Sequence, residues 1–290
     1  MPSGGPGPSR DQPHAEHVDV FGISHQGMVR TENQDHFLVG SLHKAMRVIH
    51  SSLPTESLGN LWSPSRGYVF LVADGVGGVP GGREASRTAL HATVDYVLSA
   101  MDLYVQMDPS VELEFEAELR RSVELSHEAV RQAGEETEDQ AGMATTLTMV
   151  CIRWPKAFIV HVGDSRAYRL RDGRLELFSK DQTMAQAMVD AGALSPDQAA
   201  HSRLNHVLYS ALGGTRAEPY TAVTDVRWDD RMLLCTDGVT KHVNEQEIRD
   251  ALARSTSAEA TARELLQLAL DRGGSDNTTL VVGKLNRPGR

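Results

Sequence analysis

The sequence is short of several things, and each shortage removes a class of answers. It has 2 cysteines in 290 residues, too few for a disulfide framework or a thiolate metal cluster. Cys151 and Cys235 each sit inside an apolar, strand-like run and are expected as small core residues in a reducing compartment. Long hydrophobic runs are missing too. Tyr68–Ala73 and Met232–Cys235 fall far short of the ~20 residues a membrane helix needs. The opening MPSGGPGPSRDQPH lacks the charged-then-apolar plan of a signal peptide and reads as a disordered tail over residues 1–16. Positive charge is scarce: the formal net charge of −10 argues against a general nucleic-acid or acidic-membrane surface. None of the 12 histidines falls in an HExxH pattern, which sets aside a zinc site of that kind. There is no Gly-x-Ser-x-Gly elbow. Gly75-Val76-Gly77-Gly78, followed by Gly81-Gly82, lacks the lysine and Ser/Thr spacing of a nucleotide-binding loop. These absences leave a soluble cytoplasmic protein as the expectation.

What is present is a set of short strands and amphipathic helices. Val18–Ile23, Asp35–Val39 and the continuous apolar run Tyr68–Ala73 read as strands. Residues 41–66, broken by Pro54, Gly59 and Pro64, read as a long loop. Helical spacing follows over Arg83–Ala100 and again over Glu112–Ala133. Thr145–Ile152, Ala157–Val162 and Arg166–Arg171 return to strands, and Asp172-Gly173 marks a tight hairpin. A helical segment runs from Thr183 to Gly192. Ser195-Pro196-Asp197-Gln198 has the capping serine, first-turn proline and glutamine of a helix start. Met232–Thr236 is a further strand, Asn244 and Ser257 cap two helices, and Thr278–Leu285 is the last strand. Strands and helices come in blocks instead of alternating, which indicates α+β with antiparallel sheets.

The informative feature is where the aspartates fall. Asp74 follows YVFLVA, Asp164 follows FIVHVG, Asp237 follows MLLCT, and Asp276 precedes NTTLVV. Each stands at a strand end, where shared sheet edges can gather carboxylates that then need cations to offset their repulsion. Hard divalent ions with all-oxygen ligands serve that need. On turn chemistry alone, roughly three in four strand-end Asp-Gly pairs are turns, and Asp172-Gly173 is one. The glycines beside Asp74 suit a backbone that must come close to a metal. His161, inside a strand, reads as a hydrogen-bonded core residue, and Ser165 as a turn residue.

Seven blocks then carry a resemblance: RTENQD (Arg30–Asp35), VADGVGGVPGGREAS (Val72–Ser86), GMATTLT (Gly142–Thr148), HVGDSRAYRL (His161–Leu170), ALGG (Ala211–Gly214), LLCTDGV (Leu233–Val239) and SDNTTLVV (Ser275–Val282). In this order, over roughly residues 18–285, the chain resembles the metal-dependent protein phosphatases of the protein phosphatase 2C type in their bacterial form. The resemblance implies two antiparallel sheets packed as a sandwich with helical pairs on both outer faces, a four-layer αββα fold. It implies one catalytic domain over residues 17–286, a flap near residues 185–205, and a short tail at 287–290. It also implies hydrolysis of phosphoserine and phosphothreonine by a metal-activated water, using Mn²⁺ or Mg²⁺ as two core ions and a third. In that scheme Asp74 bridges the core ions and the Gly75 carbonyl ligates one of them. Asp237 and Asp276 hold the other, and Asp35 acts directly or through a water. Asp164 with Asp237 makes the third position, and Arg30 binds the phosphate. The partners implied are phosphorylated proteins, among them Ser/Thr kinases and their targets. No nucleic acid or membrane is expected, and the chain is expected as a monomer.

Three positions depart from the family pattern. Val76 stands where many eukaryotic relatives have a histidine proposed as general acid, which leaves the leaving oxygen's proton to water on a further ion. Gln34 replaces a glutamate, and Asp181-Gln182-Thr183 replaces Asp-His-Ser/Thr. Two other functions stay open at this point: a catalytically silent metal-binding signalling module, and a phosphatase of small phosphate esters.

Overall fold

The computed structural model describes residues 13–43, 67–76, 81–100, 111–136 and 138–288. Within them, ten strands form two five-stranded antiparallel sheets. The first runs β1 (Val18–His25), β10 (Thr278–Leu285), β9 (Arg231–Cys235), β6 (Arg166–Arg171), β7 (Arg174–Leu177). The second runs β2 (Asp35–Leu42), β3 (Gly67–Asp74), β4 (Leu147–Arg153), β5 (Lys156–Val162), β8 (Tyr220–Asp225).

The continuous apolar strands are explained by burial on both faces. In β3, Phe70 and Val72 point into the core between the sheets, where Ile159, Leu234 and Val281 meet them. The alternate residues Val69, Leu71 and Ala73 point outward, under helices α1 (Gly82–Ser99) and α2 (Val111–Glu135). The other sheet does the same: Leu233 and Leu280 face outward to Ile248 and Leu265 of the helix pair beyond it. Truncating Phe70, 1% exposed, to alanine would cost roughly 3–5 kcal/mol in such a core.

Each helix buries the stripe its spacing implied. Ala85, Ala89, Thr93 and Val97 of α1 are buried against Leu119, Val123, Ser126 and Val130 of α2. The Thr93 and Ser126 hydroxyls meet at 2.8 Å, so these two buried polar groups of the seam satisfy each other. Helices α3 (Met184–Asp190) and α4 (Pro196–Ala200) follow, the latter started by the expected Ser195–Gln198 capping box. After α5 (Asp237–Thr240), helices α6 (Glu245–Arg254) and α7 (Ala258–Asp271) begin at Asn244 and Ser257, whose side chains accept from Glu247 N and Ala260 N. The result is the αββα sandwich.

Differences from the sequence reading are local. The edge strand β8 was not anticipated, because its TAVTD stretch is half-exposed and carries no apolar alternation strong enough to mark it. Ala15–His17 form a 3₁₀ turn, where the tail was read through Glu16, and His17 stands edge-on to Trp228 at 5.5 Å. The long loop read over 41–66 begins late, since Ser41 and Leu42 still belong to β2; residues 44–66 lie outside the described residues, as do 77–80 of the glycine-rich stretch.

Candidate active site

Strands of both sheets end at one rim, and five aspartates stand there. Asp35 opens β2 directly across from Asp74, the last residue of β3. Like charges facing each other on paired strands repel, so this pair is unfavourable while both carboxyls are ionised and no cation is near. Asp164 lies in the turn after β5, Asp237 opens α5 just past β9, and Asp276 precedes β10. Burial, then the charges of Asp35, Asp237, Asp164 and Asp276, push Asp74 well above the ordinary carboxylate range. Burial, with Asp237 adding to it, raises Asp35 to about 7 and Asp164 to about 8.

The backbone around them is tightly fixed. Asp74 N donates to Thr146 Oγ1 (3.0 Å), and its carbonyl accepts from Thr146 N (2.9 Å) and Thr145 Oγ1 (2.8 Å). Thr146 in turn meets the Ser165 hydroxyl at 2.9 Å, which ties β3 to the turn carrying Asp164. Gly75 and Gly238 have a reason other than closeness to an ion. A Cβ on Gly75 would lie 2.3 Å from the Gly82 carbonyl oxygen, and one on Gly238 would lie 1.9 Å from that of Asn277. Neither fits. Asn277 also clamps the loop that carries Arg30. Its Nδ2 donates to Gln26 O and Glu32 O, both at 2.8 Å, while Oδ1 accepts from Gln34 N at 2.9 Å.

Two cations enter the rim. Arg30 grips Asp276 with both Nε (2.7 Å) and Nη2 (2.9 Å). Lys241, one turn beyond Asp237, places Nζ 2.6 Å from Asp237 Oδ2 and 2.7 Å from Asp276 Oδ2. Although burial acts the other way, these contacts hold Asp276 below its ordinary value and Lys241 above its own. The sequence reading missed Lys241. The i, i+4 spacing of an acid and a base after a strand was the available signal. Among the described residues, Asp35, Asp74 and Asp164 form no ion pair.

The donor set suits hard divalent cations. Asp35 Oδ1 and Asp237 Oδ1 are buried with no hydrogen-bond partner, and leaving a buried charged oxygen bare is expensive. Carboxylates and a strand-end carbonyl are the oxygen ligands Mg²⁺ and Mn²⁺ prefer. Among the described residues, no three His, Cys, Asp or Glu side chains are already drawn into one ligand set, and oxygens of Asp237 and Asp276 are engaged by Lys241 and Arg30 instead.

A cavity of about 530 Å³ opens over the rim. Arg30, Asp74, Asp164, Asp237 and Lys241 line it together with the stretch from His206 to Ala211. That stretch is held down where Thr183 bridges Leu208 and Tyr209 N donates to Gln182 O at 2.9 Å. Gln182 now has a role: its Oε1 accepts from Gly163 N (2.9 Å) and its Nε2 donates to Glu218 O (2.8 Å). Its neighbour Asp181 takes a bidentate grip from Arg166, at 2.9 and 2.7 Å. His161 is the core residue it was read to be, bonded to Thr148, Gly163 and Lys180 and pushed down to about 4 by burial.

An αββα sandwich with aspartates from both sheets at one rim defines a class of metal-dependent hydrolase fold. The comparisons specify the class further. The family model for protein phosphatase 2C matches residues 48–272, and the chain belongs to that family. It is 36% identical over 214 residues to the serine/threonine protein phosphatase PstP of Mycobacterium tuberculosis, covering 74% of this chain and 40% of that protein. The chain therefore spans less than half the length of that relative. The serine/threonine phosphatase stp of Listeria welshimeri is 29% identical over 219 residues, which is 75% of this chain and 84% of that protein. Among solved structures, the PstP catalytic domain in complex with 2 manganese ions superposes with a TM-score of 0.71 at 29% identity, covering 93% of this chain and 99% of that one.

Among the described residues, no helix is long and apolar enough to cross a membrane.

Proposed function

We propose that this chain hydrolyses phosphoserine and phosphothreonine in proteins with the aid of Mn²⁺ or Mg²⁺. The observation that carries the proposal is that Asp74, Asp164, Asp237 and Asp276 line one cavity with Arg30 while Asp35 lies buried across the strand pair from Asp74, and that Asp35 and Asp237 each keep a buried unpartnered oxygen. Asp74 would span two core ions, with the Gly75 carbonyl on one. Asp237 and Asp276 would hold the other, Asp35 would assist directly or through a water, and Asp164 with Asp237 would frame a third position. Bound there, divalent ions lower the pKa of water and draw charge from phosphoryl oxygens. Arg30 commits Nε and Nη2 to Asp276 and keeps Nη1 for a phosphoryl oxygen, a match for its planar donor set. Val76 offers no proton to the leaving oxygen.

The manganese-bound relative and the names of the Mycobacterium and Listeria relatives support this reading over a silent module or a small-ester phosphatase. We take residues 17–286 as the catalytic domain and phosphorylated proteins, kinases among them, as substrates. The free, buried Cys151 and Cys235 suit a reducing cytoplasm. The test is turnover of a phosphoserine peptide and of p-nitrophenyl phosphate by the purified chain, with Mn²⁺ and with EDTA. Mn²⁺-dependent release from the peptide is expected. Absence of any release would favour the silent module, and release from the small ester alone the third reading.

A further inference from the structure

Lys241 touches two of the proposed ion ligands, Asp237 and Asp276, and has no part in the chemistry proposed above. Its backbone cannot leave, because Lys241 N donates to Asp237 O at 2.8 Å and closes the turn of α5. Its Nζ sits between Asp237 Oδ2 at 2.6 Å and Asp276 Oδ2 at 2.7 Å. Mg²⁺ coordinates oxygen ligands at about 2.0–2.1 Å. An ion on these oxygens would therefore meet the ammonium at near-contact distance, where two positive charges repel strongly. The ammonium and an ion therefore compete for this pair of oxygens, and at Asp237 Oδ2 the ammonium is the cation in place, whereas Asp276 Oδ2 also takes Arg30 Nη2 at 2.9 Å.

We propose that Lys241 is a tethered counter-ion: it neutralises the Asp237–Asp276 arm while no divalent ion is bound, and it must swing away before an ion takes those oxygens. It thereby weakens that position for metal relative to the Asp74 side. The inference rests on the reading of Asp237 and Asp276 as ion ligands. The place for the displaced ammonium is already built, since Lys241 lines the same cavity as Arg30. Once released, Nζ faces the region where a phosphate dianion would lie and adds a second cation to it. Metal binding and substrate binding are then linked through one side chain: the ion frees the lysine, and the anion stabilises the freed lysine.

The experiment is calorimetric titration of Mn²⁺ into EDTA-stripped protein, with melting temperatures of the stripped forms, for wild type, Lys241→Met and Lys241→Gln. Both substitutions keep much of the side-chain stem. Removing the competitor is expected to lower the weaker Mn²⁺ dissociation constant roughly tenfold or more. It should also lower the melting temperature of the stripped protein by several degrees, because the two carboxylates lose their shared cation. Inorganic phosphate, titrated into the Mn²⁺-loaded forms, should bind several-fold more weakly to both variants than to wild type. Mn²⁺ affinity equal to or weaker than wild type in a folded variant would overturn the proposal while leaving the metal reading intact. If wild type itself takes up no Mn²⁺, the metal reading fails and the proposal falls with it. Should Lys241→Met not fold, the same comparison is read from Lys241→Gln.

Discussion

The two arms of the rim solve the same electrostatic problem differently. On the Asp237–Asp276 arm, Lys241 and Arg30 supply protein cations, and Asp276 titrates below the ordinary carboxylate range. On the arm formed by Asp35, Asp74 and Asp164, no ion pair is present among the described residues, and all three carboxyls are pushed upward by burial first and then by neighbouring carboxylates, Asp237 acting on each of them. The first arm is balanced by the chain itself. The second depends on something the chain does not supply. Aspartates set opposite each other at a paired strand end repel when both are ionised, which fits the proposal that this arm binds the ions.

The largest expected effect comes from Asp74, the centre of the uncompensated arm. Asp74→Asn should reduce phosphoserine-peptide hydrolysis by roughly three orders of magnitude or more. It should also raise the melting temperature of the stripped protein, because it removes the carboxylate on which four others act. Asp237→Asn should abolish hydrolysis as well, but without that gain, since it takes a partner from Lys241. Equal melting shifts for the two variants would break the comparison.

Asp164→Ala comes next. With Val76 unable to donate a proton, the proposal leaves the alkoxide's proton to what Asp164 would help to hold. The loss on a phosphoserine peptide should therefore exceed the loss on p-nitrophenyl phosphate, whose phenolate needs little protonation. Parallel kinetics on the two substrates, with bound Mn²⁺ counted, decide it, and equal losses would remove Asp164 from the protonation step.

Arg30→Ala should be milder: a Michaelis constant raised roughly ten- to hundredfold, as expected for losing charge-assisted hydrogen bonds, with Mn²⁺ stoichiometry retained. If the metal count falls and the Michaelis constant does not change, Arg30 serves Asp276 and not the phosphate.

The smallest effect is on pH dependence. Asp35 and Asp164 keep their protons to about 7 and about 8 in the folded protein, against 3.8 ordinarily. Over that window the folded state binds more protons than the unfolded one, so stability must fall as pH rises from about 4 to 8. Melting curves of stripped protein should show this decline, and saturating Mn²⁺ should flatten it.

How much of this was legible in the sequence depends on whether a feature is local. The two-sided burial of β3 is written in YVFLVA, the hairpin in Asp172-Gly173, and the caps in Ser195, Asn244 and Ser257. Strand-end placement singled out Asp74, Asp164, Asp237 and Asp276, and resemblance added Asp35, Gly75 and Arg30. Features that depend on a distant partner were not readable. GMATTLT could be recognised, but not that Thr145 and Thr146 pin the Asp74 backbone. Asn277 gave no sign that it clamps the Arg30 loop, and Gln182 none that it joins Gly163 to Glu218. Gly75 looked like a partner of a metal, whereas the nearest obstacle to a side chain there is the Gly82 carbonyl. Edge strand β8 was missed because one exposed face leaves too little apolar pattern.

The central claim is that the Asp74 arm is where divalent ions enter. The most direct measurement is the number of Mn²⁺ ions bound per chain, by calorimetry on stripped protein, for wild type and Asp74→Asn side by side. The account predicts at least two ions on wild type and loss of the tightest from the folded variant. Wild-type stoichiometry and affinity in Asp74→Asn would contradict it.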